Sequence, residues 1–151
     1  MKAAFEVEGM RELDDNLAAL PNATAKAVVR RGLTRLLQPV ADMANGLWPG
    51  ADDSAFAVSS KLKRGQVPPE KGPYIVNVFV GSTPAAPHAH LLEWGTAPRY
   101  HKSGKYVGAV APVPSLTPSW DANRDQMLQN LAAIVWEDLK ATQARRAKRG
   151  L

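Results

Sequence analysis

The sequence predicts an α+β domain in which a small, mainly antiparallel sheet is packed by two long helices and carries extended loops. Two patterns predict this class. Apolar residues recur at helical spacing in the N-terminal half of the chain and again at its C-terminal end. Between them lie short runs of alternating or β-branched residues, separated by connections that contain proline and glycine. With 151 residues, 45% of them hydrophobic, the chain can bury one core of ordinary size.

The N-terminal region predicts a short strand and then two helices. Residues 3–8 alternate as a strand does, and a first helix runs from Met10 until Pro21 stops it. A longer second helix follows, with Asn22 as its cap. Pro39 removes one backbone donor from this helix and predicts a kink or a break. The apolar positions of the second helix alternate in spacing between four and three: Val29, Leu33, Leu36, Val40, Met43 and Leu47.

The middle of the chain predicts strands. Residues 55–62 alternate, residues 74–80 are β-branched or aromatic almost throughout, and a short strand is expected around 106–110. Long ordered loops usually carry function or become ordered against a partner, so the long connections here are a first indication of assembly. These connections cover residues 63–73, 82–88 and 95–114.

The last predicted helix is the longest element. Thr117 is placed to cap it, and Pro118 suits its first position. Continued to about Ala147, it would measure roughly 45 Å at 1.5 Å per residue, more than a domain of this size needs to cover its own core. We therefore predict one α+β domain over residues 1–144 and a basic C-terminal tail over residues 145–151.

The net charge of +5 belongs to the C-terminal end of the chain. Taking five basic residues of that end from the total of 19 Lys and Arg leaves 14, which balances the 14 Asp and Glu. A solvated terminus explains the five, and the sharper hypothesis is that the tail faces DNA or an acidic protein surface. The five residues are Lys140 and the candidate DNA-facing set Arg145, Arg146, Lys148 and Arg149.

Residue types that carry chemistry are few. Without cysteine, the chain has neither disulfides nor thiolate metal ligands. Three histidines and a nearby glutamate would suffice for zinc, but the prolines around them favour a loop, so we expect surface histidines and no metal or cofactor. The histidines are His88, His90 and His101. No apolar run approaches the roughly 20 residues that span a bilayer, so no membrane contact is expected.

The segment Glu93-Trp94-Gly95-Thr96 places an acid, an indole and a glycine side by side at a turn. A carboxylate against an aromatic wall can acquire a raised pKa and a catalytic use. In the structural interpretation Gly95 allows a positive φ, Trp94 packs, and Glu93 accepts backbone donors. Nothing nearby completes a nucleophile and base pair, so we favour a structural or subunit-interface role.

A second segment, Arg99-Tyr100-His101-Lys102 with Lys105-Tyr106, interleaves basic and aromatic residues. This composition suits contact with nucleic acid. It equally suits a subunit interface, where tyrosine, tryptophan and arginine are enriched. Because the body of the domain is electrically balanced, we favour the interface and expect Arg99 and Tyr100 to contact a neighbouring subunit.

Taken in order, these pieces resemble the neck and tail-completion family of tailed bacteriophages, small proteins of the head–tail junction. Residues 7–10 look like the family's opening strand, glycine and first helix, and residues 78–81 look like its central strand. The segment 92–96 resembles its motif of an acid, an aromatic residue, glycine and threonine. The segment 114–121, which contains Trp120, resembles its proline-bounded start of the last helix.

The resemblance implies an α+β virion subunit without enzymatic activity that forms a ring, commonly sixfold, as a neck ring or a tail terminator. The implied partners are further copies of itself, the head-closure or connector protein and the tail tube protein. The basic C-terminal residues add the hypothesis of non-specific contact with DNA in the channel. Long connections and an overlong helix agree with this because they can reach a neighbouring subunit. The predicted subunit-interface residues are Glu93, Trp94, Gly95, Thr96, Arg99, Tyr100 and Trp120.

Two other classes stay open. The first is a small basic nucleic-acid-binding protein or ribonuclease that uses Arg99, Tyr100 and His101; such an enzyme would work as a monomer and lose activity on His101→Ala. The second is a cytoplasmic assembly factor that is absent from the mature particle.

Overall fold

The structure, a computed structural model, describes residues 9–50, 54–62 and 69–150. Over these ranges the protein has four helices and two small antiparallel sheets, which confirms the predicted α+β class. The expected strand over residues 3–8 lies outside the described residues. In chain order the elements are α1 (Met10–Ala18), α2 (Asn22–Leu47), β1 (Phe56–Ser59), β2 (Phe79–Ser82), α3 (Ala89–Trp94), β3 (Arg99–Tyr100), β4 (Tyr106–Gly108) and α4 (Leu116–Ala147).

The chain divides into two compact units, and α2 and α4 contribute residues to both. The first unit is formed by the described residues of Met1–Leu37, Ser59–Phe79 and Asp125–Leu151. The second is formed by those of Gln38–Val58 and Val80–Arg124. Two two-stranded sheets are present, with β1 paired to β2 and β3 paired to β4.

The core of the first unit is helical. Val28 and Leu139 are fully buried, and Leu13 brings α1 into the same cluster. Gly32 lets α2 and α4 approach closely, because a Cβ at this position would lie 2.9 Å from the Val135 Cγ2 atom. The contact is therefore made by a small residue facing a β-branched one, so no larger side chain fits at Gly32 unless Val135 moves.

The core of the second unit joins the end of α2 to β1 and α3. The rings of Trp48 and Phe56 meet edge to face, with centroids 5.5 Å apart. Asn45 fixes the strand to the helix, because its side-chain amide accepts the Phe56 N–H at 2.8 Å and donates to the Phe56 carbonyl at 2.9 Å. Ala89 of α3 and Leu116 of α4 pack against this cluster.

Of the kink or break predicted at Pro39, the break does not occur, because α2 is continuous over Asn22–Leu47. Both Pro39 and Arg35 are exposed, so water can satisfy the carbonyl that the proline leaves without a donor. Asn22 is the first helical residue and not the cap: the Pro21 carbonyl, one residue earlier, accepts the N–H groups of Thr24 and Ala25.

The predicted strands are confirmed in two places and displaced in a third. Strand β1 lies within 55–62, and β4 lies within 106–110. The strand expected over 74–80 begins only at Phe79, and Tyr74 is 88% exposed. Within the described ranges its partner is the four-residue β1, so the β-branched residues before Phe79 have nothing to pair with and remain irregular.

Candidate functional site

The motif at residues 93–96 lies at the end of a helix that the sequence analysis missed. Helix α3 covers Ala89–Trp94, and Gly95 follows it with φ +73°. Ala89 is buried and Leu92 packs on the core of the second unit, three residues apart on one face. Six residues are too few for a convincing helical period, and the prolines before them favoured a loop. The spacing of Ala86, Ala89 and Leu92 was the available signal.

Glu93 caps the start of α4 from a distance of more than twenty residues in the sequence. Its Oε2 atom accepts the N–H groups of Ser115 at 2.8 Å and Leu116 at 3.0 Å. Its Oε1 atom accepts the N–H group of Thr117 at 2.7 Å. These donors belong to the capping residue and the first turn of α4, where no intrahelical acceptor exists and the helix dipole is positive. The carboxylate therefore both accepts three backbone N–H groups and complements the positive end of the helix dipole.

The surroundings of Glu93 favour its charged form. Partial burial, the largest single influence, raises the pKa of the Glu93 carboxyl. Hydrogen bonds from the Thr117 side chain and from the N–H groups of Leu116, Ser115 and Thr117 lower that pKa, and together they outweigh burial. The pKa lies below its ordinary value of 4.5, so the group is a carboxylate at neutral pH. A lowered pKa suits a carboxylate that caps a helix and does not suit a general acid.

Thr117 is not the cap that the sequence predicted. Helix α4 begins at Leu116, which leaves Ser115 in the capping position and Glu93 as the capping acceptor. Ser115 is fully buried, and its hydroxyl donates to the Leu47 carbonyl at 3.3 Å. The Ser119 hydroxyl, also fully buried, donates to the Ser115 carbonyl at 2.6 Å. The start of α4 is thus fixed to the end of α2 within the second unit.

Gly95 and Thr96 attach the same motif to the chain just before α4. A Cβ at Gly95 would lie 2.8 Å from the Val110 carbonyl oxygen and 3.0 Å from the Pro112 Cδ, so only glycine fits. Thr96 donates its N–H to the Val110 carbonyl at 2.9 Å, and its hydroxyl accepts the Val110 N–H at 2.9 Å. Glu93, Gly95 and Thr96 therefore act together, and we call these three residues the clasp.

The remaining predicted interface residues point to solvent. Trp94 is 76% exposed, Tyr100 64% and Trp120 46%, and Arg99 is exposed as well. The structure therefore divides the predicted set into the three clasp residues, which contact the interior of the fold, and four exposed ones: Trp94, Arg99, Tyr100 and Trp120.

Strands β3 and β4 form a hairpin, residues 99–108, that is almost wholly exposed. The His101 N–H donates to the Lys105 carbonyl at 2.8 Å, which closes the turn. The Tyr100 and Tyr106 rings lie side by side, with centroids 5.5 Å apart. The strand at 106–110 was predicted but its partner β3 was not, because a strand of two residues shows no alternation.

The chain around the hairpin is positively charged. No acidic residue occurs between Glu93 and Asp121, whereas Arg99, Lys102 and Lys105 lie in the hairpin. All three are exposed. Within the described ranges none of them forms an ion pair. The hairpin therefore combines aromatic area with charge.

The candidate DNA-facing residues lie at the end of α4 and just after it. Arg145 and Arg146 are in its last turn, where positive charge suits the helix dipole, and the Arg145 Nε atom donates to the Ala141 carbonyl at 3.0 Å. Lys148 and Arg149 follow in turns and are exposed. The predicted tail therefore begins as helix.

The three histidines do not form a metal-binding cluster in the described part of the chain. His88, His90 and His101 are all exposed. Over residues 9–50, 54–62 and 69–150, no three His, Cys, Asp or Glu side chains are grouped so that they could hold a metal ion. In the same ranges no helix is both long enough and apolar enough to cross a membrane.

Comparisons with known proteins give no relative: no protein-family model, curated protein or solved structure matches this chain. Any functional assignment therefore depends on the residues themselves and on the arrangement described above.

Proposed function

We propose that this protein is a structural subunit of the head–tail junction of a tailed bacteriophage. It forms a ring that completes the tail and joins it to the head, and it works in the virion by binding and not by catalysis. The observation that carries the proposal is the division of the motif at residues 93–96. Glu93 and Thr96 form hydrogen bonds within the fold and Gly95 packs closely against it, whereas Trp94, the fourth residue of the motif, is 76% exposed.

An exposed tryptophan on a fixed backbone is best explained by a partner. Burying a large apolar side chain contributes about 3 kcal/mol, a gain that the isolated subunit forgoes at Trp94. Tryptophan, tyrosine and arginine dominate the energetics of interfaces, and Trp94, Tyr100 and Arg99 are all exposed here. The clasp fixes the backbone beside Trp94, so little conformational entropy would be lost on binding.

The proposed partners are further copies of this chain in a ring, commonly sixfold, together with the head-closure or connector protein and the tail tube protein. Identical subunits close into a ring when different patches of each meet head to tail. Arg145, Arg146, Lys148 and Arg149 would face DNA passing through the channel. Within this proposal, a neck ring and a tail terminator place the same surfaces against different neighbours.

Sedimentation velocity and electron microscopy of the purified chain, alone and with tail tubes, test the proposal. We expect ring-sized particles in solution or on tube ends, and their loss in the variant Arg99→Ala/Tyr100→Ala. The matched control is Tyr74→Ala, which removes an 88% exposed tyrosine of the first unit and should assemble normally. A chain that stays monomeric and binds neither tube nor connector would contradict the proposal, as would RNA cleavage that His101→Ala abolishes.

The DNA contact has its own test. Changing the four basic residues at positions 145, 146, 148 and 149 to glutamine keeps the length of α4 and removes four positive charges. DNA binding at low salt should weaken and its salt dependence should become shallower, because fewer counterions are released. Unchanged binding and unchanged salt dependence would remove DNA from the list of partners and leave the ring proposal intact.

A further inference from the structure

We propose that the hairpin of one copy (residues 99–108) docks into an apolar groove on the first unit of the next copy. The inference rests on the proposed ring and names the surfaces that would form it. It is carried by two features of the same chain that match in polarity and in charge, and that the fold leaves exposed.

The groove is open and lined by three helices of the first unit. Its volume is about 590 Å³. Helix α1 gives it Met10, which is 40% exposed, together with Leu13 and Leu17. Helices α2 and α4 complete the apolar wall with Val29, Leu33 and Leu131.

Acidic residues of α1 accompany this groove. Asp14 lines it together with Arg11, and Asp15 lies on the same helix, whereas Glu12 lines a separate pocket beside Trp136 and Lys140. All three acidic residues are exposed, and in the described part of the chain none of them forms an ion pair. With Arg11 as its single basic residue, α1 carries two net negative charges.

The hairpin has the complementary features. It offers the paired rings of Tyr100 and Tyr106 together with Val107, which is 56% exposed. Three basic residues accompany them, against two net negative charges on α1. A two-stranded hairpin is only marginally stable in water by itself, so an apolar support for its exposed residues would order it. Opposite charge around an apolar centre is the usual composition of a specific interface.

The occupant of the groove is a second copy of this chain. The hairpin belongs to the second unit and the groove to the first, so they are two different patches. A contact between different patches is heterologous, and it repeats from subunit to subunit until the ring closes. An isologous dimer would not follow from this pairing.

Disulfide trapping tests the contact directly, because the chain contains no cysteine. The variant Asp14→Cys/Lys105→Cys, oxidised under conditions in which the wild type forms rings, should give a ladder of covalent oligomers on a non-reducing gel. The control Glu70→Cys/Lys105→Cys keeps the hairpin cysteine and moves the other to an exposed position outside the groove lining, and it should give no ladder. Rings without a ladder would overturn the inference while the proposed function stands.

The other outcomes are equally decisive. A closed monomer that migrates faster would show the hairpin of the same chain in the groove and would overturn the second-copy assignment. A wild-type chain that forms no ring, with or without tail tubes, would overturn the proposed function itself, whatever the cysteine pair does.

Charge reversal tests the electrostatic match. Lys102→Glu/Lys105→Glu alone, or Asp14→Lys/Asp15→Lys alone, should weaken assembly by about tenfold or more, because like charges would then face each other. Combining all four substitutions should restore assembly to within about threefold, because the pairs are again opposite. Equal loss in the singly reversed and the combined variants would contradict the pairing.

Discussion

Glu93 and Trp94 are neighbours in the chain and differ in almost every other respect. The Glu93 carboxylate accepts three backbone N–H groups at the start of α4, whereas the Trp94 side chain is 76% exposed. Consecutive helical residues point about 100° apart, so a helix end can place one residue inward and the next outward. The difference teaches that one short motif can stabilise the fold and also present a surface. The contacts of Glu93 hold the backbone that carries the exposed Trp94 side chain.

Among substitutions in the motif, Gly95→Ala should lower the stability of the fold the most. At φ +73° and ψ −179° the backbone is in a region that only glycine adopts readily, and the new Cβ would meet the Val110 carbonyl oxygen at 2.8 Å. We expect a loss of about 3 kcal/mol in the free energy of unfolding, measured by urea denaturation. Gly104→Ala is the control, because Gly104 has φ +81° but open space around it. It should cost about 1 kcal/mol. Equal losses would mean that the close contact at Gly95 is unimportant.

Glu93→Gln should come next. The amide keeps one acceptor oxygen but loses the charge and the second acceptor, so part of the first turn of α4 is left uncapped. We expect a loss of about 2 kcal/mol in the free energy of unfolding. Glu137→Gln is the matched control, because Glu137 is 65% exposed and pairs only with Arg35 among its described contacts. It should cost less than about 0.5 kcal/mol. If both variants unfold alike, Glu93 is not a cap.

Acid should weaken the protein through the same carboxylate. The pKa of Glu93 is lower in the folded state than its ordinary 4.5, so the folded state binds the proton less readily than the unfolded one. Its contribution to stability is complete above the unfolded pKa and is lost as the pH falls through the folded one. We expect the free energy of unfolding to fall more steeply between about pH 5 and pH 3 in the wild type than in Glu93→Gln. Parallel curves would contradict this.

Trp94→Ser should have the least effect on the isolated subunit. A side chain this exposed contributes little to the fold, so the free energy of unfolding should change by less than about 0.5 kcal/mol. A loss above about 2 kcal/mol in chemical denaturation would show that the indole packs within its own subunit. In that case the statement that Trp94 serves a partner and not its own fold would be wrong.

The long elements of this protein could be predicted because their patterns are local and long. Helix α4 follows from its apolar positions, and α2 does so in spite of Pro39. The predicted N-terminal limit of α4 was wrong by two residues, because the capping acceptor is Glu93 and not a neighbouring residue. No local pattern indicates a bond between residues 93 and 117.

Neither the short elements nor the inward or outward orientation of the side chains at residues 93–96 could be predicted, and the reasons are physical. Helix α3 has six residues, and β3 has two, so neither shows a period. The segment before Phe79 has strong β propensity, but a strand also needs a partner. A tryptophan is by default expected in the interior, and only the fold shows that Trp48 is buried while Trp94 is exposed.

The central claim is that the clasp builds the subunit and Trp94 joins subunits together. Sedimentation velocity of Trp94→Ser under conditions in which the wild type forms rings tests it most directly, with chemical denaturation of the same sample as the check on folding. The account predicts a subunit of normal stability that no longer assembles. A variant that forms rings as readily as the wild type would contradict it.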